Sequence, residues 1–175
     1  MPIPARTEEW QAPDEAEGIE PFVSNLLQIF ERDQTKALLW AGRGEELEEF
    51  QVFNNTRRLN QRWPAISVIA RREEEPLDDT DAFFHKNLAD VEIEVKGAPN
   101  GDPNALALEL IRRVRAVKAM IKAGRVEDYT ADMGSDFGGM TVSFSPVVYT
   151  SFIDKTKTVY TQYATMTVTQ ELLEA

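Results

Sequence analysis

Glu94-Val95-Lys96 is the first group whose residue types and spacing bear on chemistry. On an alternating strand a carboxylate and a lysine two positions apart share one face. Joined by an upstream Asp, such a pair holds Mg²⁺ and an attacking water in metal-dependent nucleases. Asp78, Asp79 and Asp81 stand upstream, and a helix is expected downstream. The competing reading needs no metal: Glu92, Glu94 and Lys96 all fall on the polar side of one alternating run, as on any charged strand face. The acids Glu73, Glu74, Glu75, Asp78, Asp79 and Asp81 lack the central Gly and terminal Glu of a calcium loop, so a solvated loop is expected. His85 is the lone imidazole, with no nucleophile and partnered acid identifiable beside it. The glycines of GSDFGG (134–139) are followed by no Lys-Ser/Thr, which points to a loop and not a phosphate cradle. Asn54-Asn55-Thr56 is a glycosylation sequon by letters alone, since no secretory signal is visible at the N-terminus.

Composition narrows the field further. The 175 residues, 42% hydrophobic and 28% charged, fit one globular domain. The absence of Cys excludes disulfides, thiol nucleophiles and cysteine-bound metals. A net charge of −11 argues against broad nucleic-acid binding, which Lys and Arg would have to drive. No apolar run approaches the roughly 20 residues of a membrane span, so no membrane partner is expected.

The elements that must position these residues follow from patterning. Residues 1–18 carry Pro2, Pro4 and Pro13 among acids, with Trp10 the one large apolar residue, and are expected to be a flexible acidic arm. Ile19, Phe22, Val23, Leu26, Leu27 and Phe30 then recur at helical spacing, and Ala41-Gly42-Arg43-Gly44 should stop that helix. The stretch 45–55 is open between a helical turn and a strand. Pro64 introduces a strand at 65–70, residues 71–87 are expected to be an acidic loop, and Asp90-Val91-Glu92-Ile93-Glu94-Val95-Lys96 alternates strictly. Asp102-Pro103 is a strong helix start. Leu106, Leu110, Val114, Val117 and Ile121 give that helix an apolar stripe toward the sheet, and Gly124 should end it. Residues 140–144 alternate, Val147-Val148-Tyr149 extends the run beyond Pro146, 151–157 is expected to connect, and 158–169 is a Thr-rich strand. The expected architecture is an α+β fold: a mainly antiparallel sheet packed by two amphipathic helices, in the order α-β-β-α-β-β. The domain would span 19–170, with 171–175 as a C-terminal tail. The second helix carries Arg112, Arg113, Arg115, Lys118, Lys122 and Arg125 against Glu109 alone. Such a face is either a solvated coat or one side of a seam that meets acids on another copy.

The order of these elements resembles the tail terminator (tail completion) proteins of long-tailed bacteriophages and related particles. The residues that carry the resemblance are WPAISV (63–68), DVEIEV (90–95), DPNALALELIRRVRAV (102–117) and the Thr-rich β finish. The resemblance implies a homo-oligomeric, hexameric ring that caps the tail tube, ends tube growth and joins the tail to the head or neck. It implies tail tube and head-closure or neck proteins as partners, DNA passing through the lumen without specific binding, and neither catalysis nor cofactor. The implied location is the virion, with assembly in the host cytoplasm. Under that reading Glu73, Glu74, Glu75, Asp78, Asp79, Asp81, Glu92, Glu94, Arg112, Arg113 and Arg115 are the candidates for the subunit interface or the lumen. The alternatives are another neck or tail component, such as a head-closure or tube protein, and the Glu-x-Lys nuclease.

Overall fold

The computed structural model describes residues 19–56, 62–74, 84–98, 101–125, 141–154 and 159–173. Its helices are α1 (Ile19–Gly42) and α2 (Pro103–Arg125). Six strands occur among the described residues: β1 (Val52–Asn54), β2 (Ala65–Glu74), β3 (Phe84–Lys96), β4 (Thr141–Phe144), β5 (Val148–Asp154) and β6 (Val159–Leu173). The sheet order is β1-β2-β3-β6-β4, and β5 also pairs with β6. All pairings are antiparallel except the short β1–β2 pair. The expected α+β architecture is thus present, with β1 and β5 added to it.

Both helices lie on one face of the sheet. The α1 stripe of Phe22, Leu26, Ile29, Phe30 and Leu38 is buried, and each such side chain contributes about 1.5–3 kcal/mol by leaving water. Every residue of the α2 stripe, Leu106 through Ile121, is buried as well. They meet Val91, Ile93 and Val95 of β3, Ile66 and Val68 of β2, and Ala164, Met166 and Val168 of β6 in one core. α1 ends where Arg43 and Gly44 take positive φ (52° and 92°) and the Glu45 N–H bonds back to the Gly42 carbonyl at 3.0 Å. Gly44 is at home in that conformation because it has no Cβ to clash. α2 starts as its sequence dictates: the Asp102 carboxylate accepts the Asn104 N–H at 2.9 Å, an N-cap. α2 continues through Gly124, the expected stop, to Arg125.

Several boundaries differ from the sequence reading. β2 runs on to Glu74 and β3 begins at Phe84, so all of the described part of 71–87 is a strand pair and not a loop. Pairing of Glu74 with Lys86, and of Lys86 with Glu171 across β6, keeps this charged ladder together. Hydrophobic periodicity has nothing to register there. β5 is a separate strand through Asp154, so residues 151–154 belong to the sheet and not to a connection. The break at Pro146 is sealed by Ser145: its hydroxyl accepts the Thr167 N–H and its own N–H bonds the Thr167 carbonyl, both at 2.8 Å. β6 runs to Leu173, so part of the expected tail is strand. The acidic arm 1–18 and the GSDFGG segment lie outside the described residues.

Candidate functional site

The outer face of the sheet is set by β3, the central strand. Side chains of Asp90, Glu92 and Glu94 point away from the helices, because the alternate positions Ala89, Val91, Ile93 and Val95 fill the core. The expectation of a solvated charged face fails for two of them. Asp90 and Glu92 are only 6% and 5% exposed, because β2 and β6 flank them in register: Ile69 and Thr167 beside Asp90, Ser67 and Thr165 beside Glu92. The Thr167 hydroxyl donates to Asp90 at 2.9 Å while accepting from Arg71 at 2.8 Å, and Arg71 lies 3.5 Å from Asp90. The Thr165 hydroxyl donates to Glu92 at 3.4 Å. The threonines of β6 thus supply the donors that buried carboxylates require. Glu94 is half-buried beside Tyr163.

Lys96 shares this face, but its ammonium sits 4.3 Å over the Trp63 ring, a cation–π contact. Glu92 and Lys96 are therefore engaged with different neighbours. Among the described residues no group of three or more His, Asp or Glu is placed to hold a metal. Asp78, Asp79 and Asp81, and with them Glu75, fall outside the described residues. Glu73 and Glu74 are at the sheet end: Glu73 accepts the Ile19 N–H at 3.2 Å, and Glu74 pairs with Arg72 at 2.7 Å. An acid at the first turn of α1 also complements the helix dipole.

The basic face of α2 divides by residue type. Arg113 is fully buried and belongs to the subunit interior, contrary to its expected place on an interface or lumen. Its Nε and Nη2 donate to Glu109 at 3.0 and 2.7 Å, its Nη1 donates to the Glu48 carbonyl at 2.7 Å, and its guanidinium lies 5.2 Å from the Phe50 ring centre. Burial pulls the Arg113 pKa down, and Glu109 opposes the shift through hydrogen bonding and charge. Position 113 falls within the apolar arc of α2, three residues after Leu110 and four before Val117, a signal that its charge obscured. Gln34 is the counterpart on α1: buried between Phe30 and Leu38, it accepts the Phe50 N–H at 2.8 Å. Together Gln34 and Arg113 pin the chain between α1 and β1 to the helical layer. Arg112 pairs with Glu45, and the Arg115 guanidinium stacks 4.1 Å from the Trp40 ring centre.

The structure adds a surface that the sequence reading missed. Leu39, Trp40, Leu108 and Ile111 stand exposed on the outer side of the helical layer, and Tyr149 of β5 is exposed at its flank. Trp40, Ile111 and Tyr149 line a groove of about 340 Å³ together with Arg115, Lys118 and Lys122. A single stripe of α2 carries it, apolar in its first half and basic in its second. The signal was present in sequence as Leu108 and Ile111 on the wrong side of the stripe. No described helix is long and apolar enough to cross a membrane.

Neither a protein-family model nor a curated protein matches the chain. Among solved structures it is similar to a chain from the virion of a native gene transfer agent (GTA) particle, with 10% sequence identity and a TM-score of 0.38. The match covers 78% of this chain and 93% of that chain. A likeness at that level carries no functional argument.

Proposed function

We propose that this chain is a structural subunit of a phage-like virion, of the tail terminator type. Copies close into a ring at the end of the tail tube, stop its growth and present a surface to the head or neck. The observation that supports this reading is the pair of unlike faces on one subunit. The helical layer leaves Leu39, Trp40, Leu108 and Ile111 uncovered beside Lys118 and Lys122. The opposite face of the sheet is polar, with the threonines of β6 bonded to the largely buried Asp90 and Glu92 of β3. Where two different faces of one subunit meet across copies the contact is head to tail, and such contacts close into a ring when the rotation permits. The net charge of −11 suits a conduit that must not hold on to phosphate. Of the residues first suspected of chemistry, Glu92 accepts from Thr165, Lys96 lies over Trp63 and Glu73 accepts the first N–H of α1. On this reading the chain acts by shape and assembly.

Mass photometry of the purified chain, alone and with isolated tail tubes, tests the proposal. The expected species has six times the 19.8 kDa subunit mass, and negative-stain images of the tubes should show one ring at one end. A 19.8 kDa species under every condition, together with absence of the chain from purified particles, would overturn it. Labelled chain found at the head side of the neck or along the tube would assign it to a different neck or tail component.

A further inference from the structure

The groove on α2 has an apolar centre and a basic end. Trp40, Ile111 and Tyr149 are 53%, 50% and 48% exposed, an unusual concentration of large apolar side chains on a chain of this charge. Lys118 and Lys122 line the same groove and take part in no ion pair among the described residues. The chemistry that fits is an aromatic side chain flanked by carboxylates. We infer that the acidic segment 1–18 of one copy docks in this groove on an adjacent copy, with Trp10 against Trp40 and Ile111 and its carboxylates on Lys118 and Lys122. The inference rests on reading the chain as a self-assembling subunit.

Three observations select this occupant. In the segment, Glu8 and Glu9 precede Trp10, and Asp14, Glu15 and Glu17 follow it, with Arg6 the one base. Its charge is opposite to that of the groove, and its aromatic lies between two acidic groups. Secondly, the acids on the sheet face are poor competitors, since Asp90 and Glu92 are buried and bonded within their own subunit. Thirdly, geometry favours the neighbour over the same copy. Segment and groove are at opposite ends of α1: the segment joins at Ile19, whereas Trp40 stands at the far end. The helix rise places Trp40 about 32 Å from Ile19. Trp10, with the intervening residues fully extended, reaches about 30–32 Å from Ile19. Docking on its own subunit would demand a taut chain along the whole of α1, whereas a groove on an adjacent copy sets no such demand. Opposite charge across the seam would also fix which neighbour and which register is accepted.

The chain has no cysteine, so introduced thiols report on one contact only. The full-length variants Gln11→Cys and Ala119→Cys leave Trp10, Trp40 and both lysines in place, and Ala119 lines the groove. Mixed and oxidised, they should give a disulfide-linked dimer, which requires the two Cα atoms to come within about 7 Å. Adding Trp10→Ala, or Lys118→Glu with Lys122→Glu, should reduce the linked fraction by about tenfold, the effect of losing one anchoring contact. Ser143→Cys, exposed on the opposite side of the sheet, should not link to Gln11→Cys. A linked fraction indifferent to these substitutions, or equal linkage to Ser143→Cys, would mark random encounter and overturn the inference. A chain carrying both cysteines that closes only on itself would overturn docking on a neighbour. Rings seen by mass photometry without linkage would overturn the docking and leave the ring reading standing. Loss of self-association in the unmodified chain would overturn the ring reading itself.

Discussion

Arg113 gives the sharpest test of how the helical layer is held together. The Arg113→Ala substitution removes the three hydrogen bonds to Glu109 and the Glu48 carbonyl and empties the space beside Phe50. Breaking a buried ion pair from one side costs about 3–5 kcal/mol, because the remaining partner is left without compensation. Glu109 is one-third exposed and regains water when its partner leaves, which places the loss near the lower end. We expect about 3 kcal/mol for Arg113→Ala. Arg113→Met keeps most of the buried stem and forfeits mainly the polar contacts, so about 2 kcal/mol is expected, dominated by the stranded Glu48 carbonyl. For a domain of this size the alanine variant should melt about 6–12 °C lower. Urea titrations followed by tryptophan fluorescence read the same quantity, provided the slope is unchanged and the midpoint alone moves. A loss below about 0.5 kcal/mol for Arg113→Ala, the range of an ordinary surface substitution, would refute an interior role for this arginine. It would return Arg113 to the interface candidates.

Three further outcomes are expected. Gln34→Leu leaves the buried Phe50 N–H without its acceptor and should cost about 1–3 kcal/mol in the same titration. A neutral result would mean that the Gln34–Phe50 bond adds nothing to the hold that Arg112, Arg113 and Thr35 have on this segment. Gly44→Ala meets no neighbouring atom, so its expected cost of about 1 kcal/mol is backbone strain at φ +92° only, checked by the shift in melting temperature. The Arg32 hydrogen bond holds the Asp33 carboxyl below its ordinary pKa, ahead of the opposing effect of burial. A depressed folded-state pKa adds stability that is present above the unfolded pKa and lost as pH falls through the folded one. A carboxyl-carbon NMR titration should place Asp33 low, and Arg32→Ala should return it upward. An unchanged titration would assign the shift elsewhere.

The elements that were legible in the sequence are those whose burial is one-sided. β3 alternates because one face fills the core, and α1 and α2 show stripes because one side of each lies on the sheet. The Asp102-Pro103 start was readable because N-capping is local chemistry. What escaped was set by partners distant in sequence. The ends of β2 and β3 are strands by cross-strand pairing among charged residues, so no local period marks them. Glu92 looks solvated until β2 and β6 are seen to flank it. The sequence identified a basic helix but could not divide its charges, since Glu45, Glu48 and Trp40 come from a segment that precedes α2 by more than 50 residues.

That division of charge bears on how an acidic subunit can pack against copies of itself. Arginine is suited to multidentate and stacked contacts, and all three arginines in the middle of α2 are committed that way within the subunit: Arg112 to Glu45, Arg113 to Glu109 and Glu48, Arg115 to Trp40. Lysine is a strongly hydrated point charge, and Lys118 and Lys122 are the ones left at the groove. The contact they support is therefore adjustable in geometry but selective in sign. In a chain of −11 most approaches between copies are repulsive, which discourages random aggregation. An approach that brings acids onto this lysine edge and covers Trp40 and Ile111 escapes that repulsion and buries apolar surface at once. Specificity here comes less from the strength of any one bond than from the cost of the alternatives.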